Sequence, residues 1–161
     1  LPYPGGPNID RLARQGGNAK AVRFKRTSVG DEGTDFSFSG IKTAVLYHVR
    51  GTDLARTARD LTAEQVADVA ASFQEAVVDM LVKATLRAAE SCGASTIILG
   101  GGVAANSRLR GKLVEAAAAE GLACHIPPLK YCTDNAGMVA GLGYHLFRAG
   151  RTAALDLAAM A

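Results

Sequence analysis

Thr96-Ile97-Ile98-Leu99-Gly100-Gly101-Gly102-Val103-Ala104-Ala105-Asn106 is the stretch on which the fold turns. Thr96 to Leu99 is a short β-branched and apolar run stopped by glycine, which reads as a buried strand. From about Asn106 to Glu120 the pattern is helical. Glycines at a strand-to-helix junction let a ligand approach the backbone closely. The helix start behind them offers free N–H groups and a positive dipole end, which suits an anion such as phosphate. A tight structural turn uses the same three glycines, so the stretch alone leaves both readings open.

Downstream, Ala123 to Ile126 reads as a second strand, Pro127-Pro128 as a break, and Asp134 to about Ala149 as a closing helix. Strand, helix, strand, helix in this order gives parallel β-α units and an α/β fold. Upstream, Thr62-Ala63-Glu64-Gln65 fits a capping box. Val66, Val69, Ala70, Phe73, Val77, Leu81, Ala84 and Ala88 then recur at three- and four-residue steps to near Cys92-Gly93. That is one apolar face of a core-packing helix, to which no chemistry is attached. Further upstream Ile41 to Arg50 is helical. Val22 to Phe24 and Phe36 to Phe38 are short strand candidates around a polar loop with Gly30 and Gly33. Asn8 to Gln15 is a short helix closed by Gly16-Gly17. Residues 61–150 thus form an α/β core, residues 1–60 a helical and loop insertion, and the tail from 151 is Ala-rich and uninformative.

Composition narrows the class. The 161 residues are 48% apolar and 20% charged, the balance of a soluble globular chain of single-domain size. Cys92, Cys124 and Cys132 form no C-x-x-C pair, which argues against a disulfide framework or a cysteine zinc site and suits a reducing cytoplasm. No apolar stretch approaches the roughly 18 residues of a membrane helix. Arg11, Arg14, Lys20, Arg23, Lys25 and Arg26 face only Asp10 within the first 26 residues. Such a cluster can meet a phosphate backbone or be a solvated face. The chain starts on Leu1 inside a dense Pro/Gly motif, and is expected to be a fragment.

Three places can carry chemistry. Gly100, Gly102 and Ala105 satisfy G-x-G-x-x-A, but a dinucleotide site needs an acid about 20 residues on to hold a ribose. The second strand here is Ala123-Cys124-His125-Ile126 followed by proline, so a nicotinamide cofactor is disfavoured. No G-x-x-x-x-G-K-[ST] phosphate loop is present either. Asp134, in Cys132-Thr133-Asp134-Asn135, stands at a helix start, where it is an N-cap or a carboxylate ligand to a phosphate-bridging metal. In Pro4-Gly5-Gly6-Pro7-Asn8-Ile9-Asp10 the glycines allow close backbone approach. Asp10, on the first helical turn, accepts from ribose hydroxyls or simply favours the helix dipole. His48, His125 and His145 lack ligand spacing, and G-x-S-x-G and H-E-x-x-H are both absent.

Taken together, four strings resemble one family: Tyr3-Pro4-Gly5-Gly6-Pro7, Asp35-Phe36-Ser37-Phe38-Ser39-Gly40-Ile41-Lys42-Thr43, Gly101-Gly102-Val103-Ala104-Ala105-Asn106 and Cys132-Thr133-Asp134-Asn135. They are similar to the bacterial tRNA adenosine threonylcarbamoyltransferases, formerly described as sialoglycoproteases, over residues 1 to about 150. The resemblance implies an actin/hexokinase/Hsp70-like (ASKHA) fold with nucleotide between two lobes, this chain being the carboxyl-terminal part without the first lobe. It implies transfer of threonylcarbamoyl from its adenylate to the exocyclic amine of the adenosine beside the tRNA anticodon. By position, Gly6, Asp10 and Asn106 would line the nucleoside site, Gly101 and Gly102 would form the nucleotide-side loop, and Asp134 would ligate one divalent metal, iron or zinc. The implied ligands are ATP or threonylcarbamoyl-adenylate. The implied partners are tRNA, an actin-like paralogue subunit and an ATPase subunit. The family's histidine pair belongs to the first lobe and has no replacement here, so the chain alone is expected to be inactive and prone to self-association. A non-catalytic actin-like partner subunit and an actin-like ATPase or sugar kinase are the alternatives.

Overall fold

The computed structural model describes residues 1–25, 28–29, 34–51 and 60–154. The elements in chain order are α1 (Gly5–Arg14), β1 (Ser28–Val29), β2 (Asp35–Phe36), α2 (Phe38–Arg50), α3 (Ala63–Ser91), β3 (Thr96–Ile98), α4 (Ser107–Ala119), β4 (Ala123–His125) and α5 (Ala136–Arg148). Arg26, Gly30, Gly33 and residues 155–161 lie outside the described residues.

α3, of 29 residues, organises the rest. Its capping box forms in full: the Gln65 N–H donates to Thr62 Oγ1 at 3.2 Å, and the Thr62 N–H to Gln65 Oε1 at 2.9 Å. Two orphan donors are satisfied, which fixes where the helix begins. The sequence pattern gives α3 one apolar face, but the helix is enclosed more widely. Ala71, Ser72, Gln74, Ala76, Val78, Met80, Val82 and Ala89 are buried, whereas Ala88 is exposed. α1 and α4 pack extensively on α3, and α2 and β2 also touch it. Alanine on several sides lets neighbours approach, so burial here follows small side chains as well as the 3.6-residue period.

β3 and β4 pair in parallel, with Thr96 opposite Ala123, Ile97 opposite Cys124 and Ile98 opposite His125. α4 makes the crossover and presses Leu109, Leu113 and Ala117 against Val78, Val82 and Ala89 of α3 and Ile97 of β3. Leu113 is 1% exposed. Burying such a side chain contributes about 1.5–3 kcal/mol, and this cluster holds the β-α-β unit to α3. The other face of β3 is bare, with Ile98 80% exposed. A second cluster joins Phe24, Ile41 and Ala76.

Several boundaries differ from expectation, for local reasons. Val22 to Phe24 is not a strand. The Val22 N–H donates to Ser72 Oγ at 3.1 Å and that hydroxyl donates to the Asn18 carbonyl at 3.1 Å, so its polar groups go to α3 while Phe24 is buried. β2 stops at Phe36 and pairs antiparallel with β1, and Phe38 already begins α2. α1 begins at Gly5, so Gly5 and Gly6 are helical rather than loop residues. Pro7 sits in its first turn, where a missing N–H costs nothing. Among the described residues no helix is long and apolar enough to cross a membrane.

Candidate functional site

The glycine loop leaves β3 at Leu99, whose N–H donates to the His125 carbonyl at 3.0 Å. Gly101 has φ 83°, a conformation that a side chain would strain. A short 3-10 turn, Gly102–Ala105, follows and buries Ala104 completely. Asn106 then caps α4: its Oδ1 accepts from the Leu109 N–H at 2.9 Å, and its Nδ2 donates to Oε1 of buried Gln74 at 2.8 Å. Asn106 is thus held by its own helix and by α3, while Gly100 to Val103 stay exposed between strand and helix.

The loop separates two cavities. On one side, a narrow cavity of about 90 Å³ is lined by Gly6, Ile9, Phe73, Gln74, Val77, Val103 and Asn106 among others. It has an apolar floor and an amide end, and it brings Gly6 together with Asn106. On the other side, a cavity of about 300 Å³ lies among Gly101, Gly102, Tyr131, Cys132, Thr133, Asp134 and Met138. Backbone of the glycine loop and one exposed carboxylate share this space. A larger cavity of about 420 Å³ between α1, α2 and α3 is apolar except for Lys42 and holds none of the expected site residues.

Asp10 lies in the second turn of α1, because the helix starts at Gly5. The reading of Asp10 as a first-turn dipole charge is corrected accordingly. Its Oδ1 accepts from the Ser107 hydroxyl at 2.7 Å and from the Ser107 N–H at 3.3 Å, and Oδ2 faces Arg14 Nε at 3.5 Å. It lines neither loop-side cavity. The capping alternative for Asp134 is also corrected. The N-cap of α5 is Asn135, whose Oδ1 accepts from the Met138 N–H at 3.0 Å. Asp134 stays exposed one residue earlier, and among the described residues its carboxylate has no hydrogen-bond or ion-pair partner.

Sequence reading missed Gln74, Ser107 and Arg110. Each acts through a partner distant in the chain, and nothing in its neighbourhood announces it. It also missed the ion network in which Arg108 grips Glu75 through Nε at 2.6 Å and Nη2 at 2.9 Å. Lys112 bonds Glu75 at 2.6 Å and also Asp79. The Arg108 hydrogen bonds, with Lys112 beside them, outweigh burial and lower the Glu75 carboxyl to about 2. Burial pushes the Cys124 thiol up, and Cys132 is buried and packed under Arg110. His48 rests edge-on against Phe24 and His145 against Tyr144. Arg11, Arg14, Lys20, Arg23 and Lys25 are exposed.

The profile of the family described as TsaD, tRNA N6-adenosine threonylcarbamoyltransferase, matches residues 1–141. The chain belongs to the TsaD family. Curated relatives carrying the name tRNA N6-adenosine threonylcarbamoyltransferase include one from Symbiobacterium thermophilum, 48% identical over 99% of this chain and 45% of its own length. One from Anaeromyxobacter sp. (strain Fw109-5) is 47% identical over 98% of this chain and 45% of its own length. One from Thermosipho africanus is 45% identical over 93% and 43%. The chain therefore spans less than half the length of these TsaD relatives. The residues described here do not build a metal site by themselves, since among them no three His, Cys, Asp or Glu side chains converge. Asp134 can supply one oxygen ligand, and a stable site needs several in fixed geometry.

Proposed function

We propose that this chain is the carboxyl-terminal, nucleotide-facing half of an actin-like enzyme that transfers threonylcarbamoyl from threonylcarbamoyl-adenylate to the exocyclic amine of a tRNA adenosine. The observation that carries the reading is the glycine loop standing between two cavities, one with an apolar floor and an amide, the other with a carboxylate. In this reading the nucleoside lies against Ile9 and Val103, beside Gly6, with Asn106 as its polar contact. Asp10 lies outside that cavity and would meet a ribose hydroxyl extending from it through Oδ2, which here faces exposed Arg14. Gly101 and Gly102 turn their backbone toward the phosphate, where close approach matters more than any side chain. The amine nitrogen forms the new C–N bond, AMP leaves with the bonding pair, and the amine gives up a proton.

Asp134 is one ligand of a divalent metal, iron or zinc, whose remaining ligands come from the part of the enzyme outside this chain. When bound, the metal supplies charge neutralisation at phosphate oxygens. Asn135, by capping α5 itself, leaves the Asp134 carboxylate available for that ligation. A cavity of about 90 Å³ is far below the roughly 300 Å³ at which pockets begin to enclose a small molecule. The chain alone is therefore expected to bind ATP weakly and to transfer nothing.

The test is transfer of labelled threonine into tRNA by the full-length protein with its actin-like and ATPase partner subunits. Transfer that falls in Asn106→Ala through a raised KM for the adenylate supports the reading. A full-length protein that modifies no tRNA yet hydrolyses ATP or phosphorylates a sugar overturns it. So does turnover by these 161 residues alone.

A further inference from the structure

Arg110, at the start of α4, spends its guanidinium on the two loops that wall the Asp134 cavity. Nη1 donates to the carbonyl of Ala104, at the exit of the glycine loop, at 2.9 Å. Nη2 donates to the carbonyl of Pro127, where the chain has just left β4, at 2.9 Å. Nη1 also lies 3.6 Å from Cys132 Sγ, two residues before Asp134. Both Ala104 and Cys132 are buried. Among the described residues no carboxylate pairs with Arg110, unlike Arg108 two residues earlier, which pairs with Glu75.

The rest of the Asp134 wall is lightly held. The segment after β4 forms only a short 3-10 turn, Leu129–Tyr131, and α5 packs extensively on none of the other elements. What fixes this wall relative to Gly101 and Gly102 is the end of β4, the buried Cys132 and the Arg110 fork. A planar guanidinium reaches two carbonyls and a sulfur at set angles, which an ammonium cannot do.

We infer that Arg110 is a positioning residue for the proposed transfer, setting the separation between the glycine-loop backbone and the Asp134 carboxylate. The inference rests on the functional reading above for its consequence but on this geometry for its cause. Arg110 touches no reacting atom. It acts through Ala104 on one wall and through Pro127 and Cys132 on the other. Supporting residues of this kind typically change activity by about 10- to 100-fold when lost.

The experiment uses the full-length protein with its partner subunits and compares the parent, Arg110→Lys and Arg110→Ala. Hydrogen exchange at residues 101–103 and 133–135 is read alongside kcat, KM for the adenylate, and melting temperature. Arg110→Lys should stay folded, exchange faster at both walls, and lose about 10- to 100-fold in kcat/KM, and guanidinium ion should restore part of the loss in Arg110→Ala. Unchanged exchange at either wall overturns the inference. Parent-like kinetics in Arg110→Lys at a temperature where both are folded also overturns it, because a lowered melting point alone marks a merely structural clamp. A parent without transfer activity strikes the functional reading, while the exchange data still decide whether Arg110 couples the walls.

Discussion

Asp10 and Ser107 join the first helix to the start of the fourth across 97 residues of chain, through a 2.7 Å hydroxyl bond and a 3.3 Å N–H bond to the same carboxylate oxygen. A carboxylate that accepts two donors at a helix start is charge-assisted and only partly screened, since the Asp10 side chain is 13% exposed. Asp10→Ala should cost about 1–3 kcal/mol, because it leaves the Ser107 donors unmet. Asp10→Asn, which keeps an acceptor, should cost less. Urea unfolding of the two variants with Ser107→Ala in a double-mutant cycle measures the coupling. Additive effects would show that the two residues do not support each other.

Glu75 makes stability depend on pH at the acid end. Its folded-state carboxyl is lowered from 4.5 to about 2, first by the Arg108 hydrogen bonds and then by Lys112, against burial. A depressed acid stabilises the fold above its unfolded pKa and loses that contribution as pH falls through the folded value. The Glu75 contribution is therefore complete above about pH 4.5 and fades towards about pH 2. In Glu75→Gln the melting temperature should be lower at neutral pH, and its decline over that window should be shallower than in the parent. Parallel pH profiles for the two proteins would rule out this role.

Asp134 and Asn135 are adjacent, and the structure divides their work. Asn135→Ala removes the cap of α5 and should cost about 1 kcal/mol. Asp134→Ala removes no such bond, so its unfolding midpoint should match the parent within error. In the full-length protein Asp134→Ala should lose metal and transfer together, while Asn135→Ala keeps both. Retained metal and transfer in Asp134→Ala would end its assignment as a ligand.

How far the sequence carries depends on how local each signal is. The Thr62 box and Asn106 at the start of α4 were legible because each is written in adjacent residues, and the parallel pairing of β3 with β4 followed from the strand, helix, strand order. Asp134 and Asn135 are both good caps, so only the backbone decides between them. Val22 to Phe24 has strand composition, but its hydrogen bonds go to Ser72, 50 residues away. Gln74 looks like any polar residue on a helix until Asn106 arrives against it from 32 residues downstream. Gly6 and Asn106, and separately Gly101, Gly102 and Asp134, were named from their strings. That each set shares one cavity required the fold.

α5 carries the last prediction. Met138, Val139, Leu142, Tyr144 and Phe147 are all exposed, Phe147 by 70%, and no residue of the helix is buried. The outer face of β3 also leaves Ile98 bare. A helix with this much apolar surface in water gains by covering it, at about 25 cal/mol for each Å² removed. Contiguous patches of this kind mark contact surfaces. The 161-residue chain by itself should therefore associate with rising concentration in sedimentation experiments. Leu142→Lys with Phe147→Glu should shift it towards monomer. Because both side chains are exposed, unfolding of the monomer should change by less than about 0.5 kcal/mol. A parent chain that stays monomeric throughout, or a double variant that associates as strongly, would show that α5 is not the contact.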